Sequence, residues 1–195
     1  MNKIAVFGGS FDPVHISHVK IAELVIKVFN FKKIIFVAAC CPPHKKKCYA
    51  SIEDRINMLK LATYEIRENV EISLYETYKK KVYSWETLNY FSSIYPTMNI
   101  YMIIGSDSLL DLSNWERIDY IINHYKFIVA RRFGIKLINK SVKYLNNCIF
   151  LNKEIDAISS TRIRHLVKLN DKLVSKLLNY KVYKYILKNK LYKNV

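Results

Sequence analysis

The stretch Lys3-Ile4-Ala5-Val6-Phe7-Gly8-Gly9-Ser10-Phe11-Asp12-Pro13-Val14-His15-Ile16-Ser17-His18 decides how this 195-residue chain is read. Lys3 to Phe7 has the character of a buried strand. Two glycines follow, and His18 to Phe29 then reads as a helix with Ile21, Leu24, Val25 and Val28 on one face. A glycine turn between a strand and a helix lets backbone N–H groups approach a phosphate, and a helix beginning near His15 adds its positive end. Glycine is also scarce, with four residues in the chain where about 7% is usual. The remaining two, Gly105 and Gly134, stand after the strand-like Asn99 to Ile104 and after Arg131-Arg132. Such placement predicts glycine where a side chain would do harm.

Outward from this segment, apolar runs alternate with amphipathic ones, the mark of βαβ units and a mainly parallel sheet. Strands are predicted at Lys33 to Ala39, Val70 to Leu74, Asn99 to Ile104, Lys126 to Ala130 and Cys148 to Leu151. The intervening helices include one behind a Ser51 cap, a short one at Ser84 to Phe91, and a helical stretch through Trp115 to Ile122. Another opens at Ser159 to Thr161, and Leu173 to Leu187 closes the chain. The fold class is therefore α/β: a mainly parallel, doubly wound sheet with flanking helices, in one domain over 1–195 with a helical segment from about 161. In such sheets ligands bind beyond the carboxyl ends of the strands, so Gly8-Gly9, Gly105 and Arg131 should converge on one crevice.

Apolar runs all fall well below the length needed to cross a bilayer, and a strand beginning at Lys3 leaves no room for a targeting peptide. No membrane is expected. Cys40, Cys41, Cys48 and Cys148 are too few and too unevenly spaced for a disulfide framework, which fits a reducing compartment: cytoplasmic by default, with the nucleus an open alternative. With His44 they match no common zinc spacing. The formal charge is +16, carried mostly by lysine among Asn, Ile and Tyr. That pattern reads as a solvated surface of biased composition, and no aromatic-plus-basic signature makes nucleic acid the expected partner.

His15 and His18 lie one turn apart and so can face a single phosphate chain, as imidazolium donors to charge growing on transferring oxygens. The glycine segment lacks both GxxxxGKS/T and GxGxxG spacing, so kinase-type and dehydrogenase-type chemistry do not follow. Nor is there a nucleophile with an adjacent base.

GGSFDPVHxxH resembles the N-terminal signature of the nucleotidyltransferase superfamily that carries an HxGH motif, and the chain is similar specifically to nicotinate-nucleotide adenylyltransferases. Cys41-Pro42-Pro43-His44-Lys45 resembles a PPHK/R loop, Arg55 to Ala62 an RxxMLxLA helix, and Tyr83 to Leu88 a YTxxTL segment. Gly105 to Leu110 with Trp115 resembles GxDSLxxxxxW, Ala130 to Gly134 an RRPG stretch, Ile158 to Arg164 ISSTxIR, and Val182 to Tyr192 VxxYIxxxxLY. The motifs run in order along essentially the whole chain.

The resemblance implies a Rossmann-like nucleotidyltransferase fold. It also implies a magnesium-dependent reaction in which nicotinate mononucleotide and ATP give nicotinate adenine dinucleotide and pyrophosphate, with Mg2+ held mainly by the ATP phosphates. His15, His18 and Arg164 would be catalytic, Arg164 as a bidentate cation. Gly8, Gly9, Ser10 and Phe11 would line ATP; Gly105 and Asp107 would meet the ribose; Arg132 would lie by the adenine; Ser159, Ser160 and Thr161 would offer hydroxyls and amides to phosphates. On the acceptor side, Lys45 would meet the nucleotide phosphate, the Tyr83 to Ser84 backbone the nicotinate carboxylate, and Trp115 the pyridine ring. Bland alternatives stand beside these: a plain helix cap for Ser159 to Thr161, a core aromatic for Trp115, a solvated run for Lys45. Ser17 stands where the motif has Gly, Phe133 where RRPG has Pro, and Trp85 adds a second indole near the acceptor side. Nicotinamide mononucleotide, and behind it phosphopantetheine, are the alternative acceptors. A basic nucleic-acid binder is the alternative of a different class, and a homo-oligomer is left open.

Overall fold

The computed structural model describes residues 2–39, 48–79, 81–131 and 139–193. Six strands form one parallel sheet: β1 (Lys3–Gly9), β2 (Lys33–Ala38), β3 (Val70–Ser73), β4 (Asn99–Gly105), β5 (Lys126–Ala130) and β6 (Cys148–Phe150), in the order β3-β2-β1-β4-β5-β6. Alternate residues of the central strands β1, β2, β4 and β5 enter different cores. Ala5, Phe7, Phe36, Ile103 and Ile128 pack on one face, while Ile4, Val6, Val37, Met102 and Phe127 pack on the other. Burial on both sides is why these strands read as continuous apolar runs.

On the first face lie α1 (Ile16–Phe29), α2 (Ile52–Ala62), α6 (Ser160–Lys168), α7 (Val174–Leu177) and α8 (Tyr180–Lys188); on the second lie α3 (Ser84–Ile94), α4 (Ser106–Leu110) and α5 (Ile118–His124). The sheet is thus doubly wound as expected. The chain runs outward from β1 to β3, then returns to β4 on the other side of β1, so the order reverses between β1 and β4. That reversal opens a crevice at their carboxyl ends.

Several bounds differ from the sequence reading, each for a local reason. Gly8 and Gly9 are the last residues of β1, paired with Val37 and Ala38, and do not follow the strand. A Cβ on Gly9 would come within 3.0 Å of the Phe11 ring. Gly9 is therefore demanded by an aromatic side chain folding back under the strand end, with Phe11 itself at a left-handed φ of 45°. Helix α1 starts at Ile16, with extended His15 as its N-cap. Trp115 sits in extended backbone between a 3-10 turn and α5, outside any helix. The single helix expected over Leu173 to Leu187 is broken at Leu178, and the Asn179 side chain accepts from the Lys181 N–H to start α8. The Ser51 cap is as expected, its hydroxyl accepting from the Asp54 N–H at 3.0 Å.

One charged residue lies on the apolar stripe of α2. Arg55, 1% exposed beside Met58, Leu59 and Ala62, sends Nη1 to the Ser10 carbonyl at 2.7 Å and to the Ala39 carbonyl at 2.6 Å. It joins the loops leaving β1 and β2. Arg55→Met keeps the stem but strands two carbonyls, so it should cost about 2–4 kcal/mol and lower Tm by about 5–15 °C. A melt indistinguishable from the parent would contradict this bridge.

Candidate active site

A cavity of about 790 Å³ lies over the β1–β4 switch point. From the first face of the sheet come Gly8, Gly9, Ser10, Phe11, His15, His18 and Ser159 to Thr161. From the second come Tyr83, Ser84 and Trp115, with Gly105 and Asp107 at the end of β4. Residues expected to meet two different nucleotides thus share one space.

The histidines stack, with ring centroids 3.7 Å apart, and His15 is 2% exposed. His18 also meets the edges of Phe7 and Phe11. The His15 N–H donates to His18 Nδ1 at 3.2 Å, which is the reciprocal half of a helix cap. A nitrogen that accepts carries no proton, so His18 presents Nε2–H as its donor. Protonation of Nδ1 would break that bond to the helix start. The first amides of α1 add the positive end of the helix beside the two rings.

The glycine-histidine side of the cavity is tied together by side chains that hold carbonyls of the loop before α1. Arg55 takes that of Ser10, Arg164 Nη1 takes that of Asp12 at 2.7 Å, and the Ser160 hydroxyl takes that of Pro13 at 2.9 Å. Arg164 is 7% exposed, also bonds the Thr161 hydroxyl at 3.1 Å, and lies 4.4 Å from the Tyr49 ring. It does not line the cavity. Its Nη1 and Nη2 thus hold the loop beneath the site and the start of α6, while the buried Nε has no partner among the described residues. Ser159 is indeed the α6 cap, accepting from the Arg162 N–H at 3.2 Å. As acceptors, Ser159 and Thr161 each keep a hydroxyl proton for a ligand. Ser160 has spent its own.

Ser17, the departure from HxGH, is 4% exposed, and its hydroxyl donates to the Asp156 carbonyl at 3.3 Å. It fastens α1 to the segment that leads into α6. On the other face, the Tyr83 N–H is already taken by Glu86 Oε2 at 2.8 Å, so of the Tyr83 to Ser84 pair only the Ser84 amide remains to meet a carboxylate. Trp115 lies edge-on to Phe127 at 6.2 Å while also lining the cavity, so its packing and binding readings are compatible. Lys45 and Arg132 lie outside the described residues. Among the described residues, no group of three or more His, Cys, Asp or Glu side chains converges to hold a metal ion.

Sequence reasoning missed Glu76, which lines the cavity beside Tyr83 and accepts from the Thr87 hydroxyl at 2.6 Å. Burial pushes its carboxyl above the ordinary Glu range, and the Glu86 charge adds to this, against opposing effects of the Thr87 bond and Lys79. A carboxyl raised in the fold binds its proton more tightly there than in the unfolded chain. Its contribution is complete below the ordinary Glu value and is lost as pH rises through the folded value. Glu76→Gln keeps an acceptor for Thr87 and carries no charge. It should therefore gain in Tm over the parent as pH rises from 5 to 8, and a constant difference across that range would contradict the buried charge.

Comparison with known proteins agrees with this geometry. The cytidylyltransferase-like family model matches residues 6–166. A protein of Endomicrobium trichonymphae named "Probable nicotinate-nucleotide adenylyltransferase" is 59% identical over 194 residues, covering 99% of this chain and all of that one. One of the same name from Clostridium tetani is 37% identical over 99% of this chain and all of its own length. Among solved structures, the Plasmodium falciparum nicotinic acid mononucleotide adenylyltransferase complexed with NaAD superposes with a TM-score of 0.86, 19% identity and 98% coverage of each chain. The same protein complexed with APC gives a TM-score of 0.84 at 21% identity, again over 98% of each chain. The fold is therefore the Rossmann-like nucleotidyltransferase fold, and the chain belongs to the nicotinate-nucleotide adenylyltransferase family, nucleotidyltransferases of NAD biosynthesis.

Proposed function

We propose that this chain transfers the adenylyl group of ATP to the phosphate of nicotinate mononucleotide, giving nicotinate adenine dinucleotide and pyrophosphate. One observation carries the reading: a single cavity joins the glycine-histidine loop and the start of α6 to Tyr83, Ser84 and Trp115 from the opposite face of the sheet. The relatives' shared name supports the choice of acceptor.

An oxygen of the acceptor's phosphate attacks the α-phosphorus in line, the bond to the bridging oxygen breaks, and pyrophosphate leaves with that electron pair. A phosphate dianion has no proton to lose, so no general base is required. Catalysis then consists of positioning and charge stabilisation. His15, His18 Nε2 and the first amides of α1 and α6 meet the ATP phosphates. The Ser159 and Thr161 hydroxyls donate alongside them, Gly8 to Phe11 line the nucleotide, and Asp107 faces the ribose.

Charge accounting supports a metal-dependent reaction. Among the described residues the cavity is lined by Glu76, Asp107, Asp111, Glu116 and Asp156, and by no Lys or Arg. Magnesium, held mainly by the ATP phosphates, would supply the missing positive charge, and Lys45 and Arg132 are the proposed side-chain cations. Selectivity for the acid form rests on the start of α3, an 11-residue helix whose Ser84 amide has no intrahelical acceptor. The pyridine stacks on Trp115. The cytoplasm is the proposed compartment.

Pyrophosphate release is measured with ATP and magnesium against nicotinate mononucleotide, nicotinamide mononucleotide and phosphopantetheine in turn. Preference for the nicotinate form by about tenfold or more in kcat/KM is expected. His18→Ala should lower kcat by about 10²–10³-fold, and Trp115→Ala should raise the acceptor KM about tenfold with a smaller change in kcat. Preference for another acceptor would move the function within the family's chemistry. Absence of release with all three would overturn it.

A further inference from the structure

We propose that Tyr192, near the carboxyl end of the chain, is a positioning residue for adenylyl transfer, acting through the buried carboxylate of Asp12. The inference rests on the functional reading above for the chemistry that Asp12 serves. Asp12 is 2% exposed, in the middle of the phosphate-side loop. Its Oδ2 accepts from the Tyr49 N–H at 2.7 Å; its Oδ1 accepts from the Ala50 N–H at 3.0 Å and from the Tyr192 hydroxyl at 2.9 Å. Three donors from two distant parts of the chain converge on one carboxylate, which belongs to the residue between Phe11 and Pro13.

The backbone around Tyr192 shows how the hydroxyl reaches that depth. Helix α8 ends in a Schellman turn: the Leu191 N–H bonds the Ile186 carbonyl at 3.0 Å and the Lys190 N–H bonds the Leu187 carbonyl at 3.2 Å. The left-handed position is filled by Lys190 at φ 53°, and Tyr192 follows at φ 64°. Neither is glycine, so both carry a steric cost that persists only where the surroundings impose the conformation. What imposes it is burial of the Tyr192 ring, 5% exposed, with its hydroxyl on Asp12. Burial and the adjacent carboxylate push the Tyr192 hydroxyl well above the usual tyrosine range.

The consequence for the reaction is geometric. Asp12 neighbours Phe11, which lines the cavity, and lies three residues before the His15 cap whose amide holds His18. Tyr49 and Ala50, on the same carboxylate, lead into α2 and hence to Arg55. Removing one donor leaves a buried carboxylate under-solvated and free to re-aim, and the loop moves with it. Misplacement of a fraction of an ångström at the phosphates is enough to affect rate.

Tyr192→Phe removes only the hydroxyl. Tyr185→Phe is the matched control, because Tyr185 donates to Asp54 at 2.8 Å on the outer contact of α8 with α2 and does not line the cavity. Three quantities are read for each: MgATP affinity by calorimetry without acceptor, kcat with nicotinate mononucleotide, and Tm. Y192F should weaken MgATP binding and lower kcat, together by about tenfold or more, while Y185F leaves both within about twofold of the parent at a comparable loss of Tm. A cycle with Asp12→Asn tests the route, since the Y192F effect on MgATP affinity should largely vanish once the carboxylate is gone. Y192F that loses Tm alone, or an effect undiminished in the Asp12→Asn background, would overturn the proposal. Because MgATP affinity is read without acceptor, parent protein that binds MgATP but turns over a different acceptor counts against the functional reading and leaves this test intact.

Discussion

The buried carboxylate of Asp12 takes the amides of Tyr49 and Ala50 and the Tyr192 hydroxyl, while its own backbone carbonyl takes the Arg164 guanidinium. A charge withdrawn from water survives only with its lone pairs occupied, and here the partners come from the segment before α2, from α6 and from the end of the chain. The loop between β1 and α1 is thereby pinned at its Ser10, Asp12 and Pro13 carbonyls and at the Asp12 side chain. Its position, and with it that of the two histidines, is set by contacts distributed over the whole first face of the sheet.

Charge is spread very differently in the site and on the surface. The chain carries a formal +16, yet the described part of the cavity is lined by carboxylates and neutral donors. Many lysines instead lie over tyrosine rings, such as Lys79 on Tyr75 at 3.7 Å, Lys181 on Tyr64 at 3.9 Å and Lys184 on Tyr180 at 4.6 Å. The excess is therefore a diffuse surface property. It raises the local concentration of anionic substrates without defining what binds.

Much of this was legible in the sequence, because parallel strands buried on both faces leave apolar runs and a nucleotide crevice leaves glycines and histidines at strand ends. What could not be read was the direction in which side chains spend their hydrogen bonds. Arg164, read from its motif as a phosphate cation, also donates to the Asp12 carbonyl, and His18 Nδ1 also accepts from the His15 amide. Gly9 yields to the Phe11 ring and only indirectly to a ligand. Arg55 did leave a trace, a cation at helical spacing with Met58, Leu59 and Ala62. Tyr192 was legible only as the end of the VxxYIxxxxLY stretch; its bond to Asp12, 180 residues away, was not.

The central claim is that the site works by positioning, with no covalent intermediate on the protein. The stereochemical course at phosphorus tests this most directly. With ATP made chiral at the α-phosphorus by sulfur substitution and nicotinate mononucleotide as acceptor, a single in-line displacement inverts configuration in the dinucleotide product. Retention would require an adenylylated side chain, and would contradict the account.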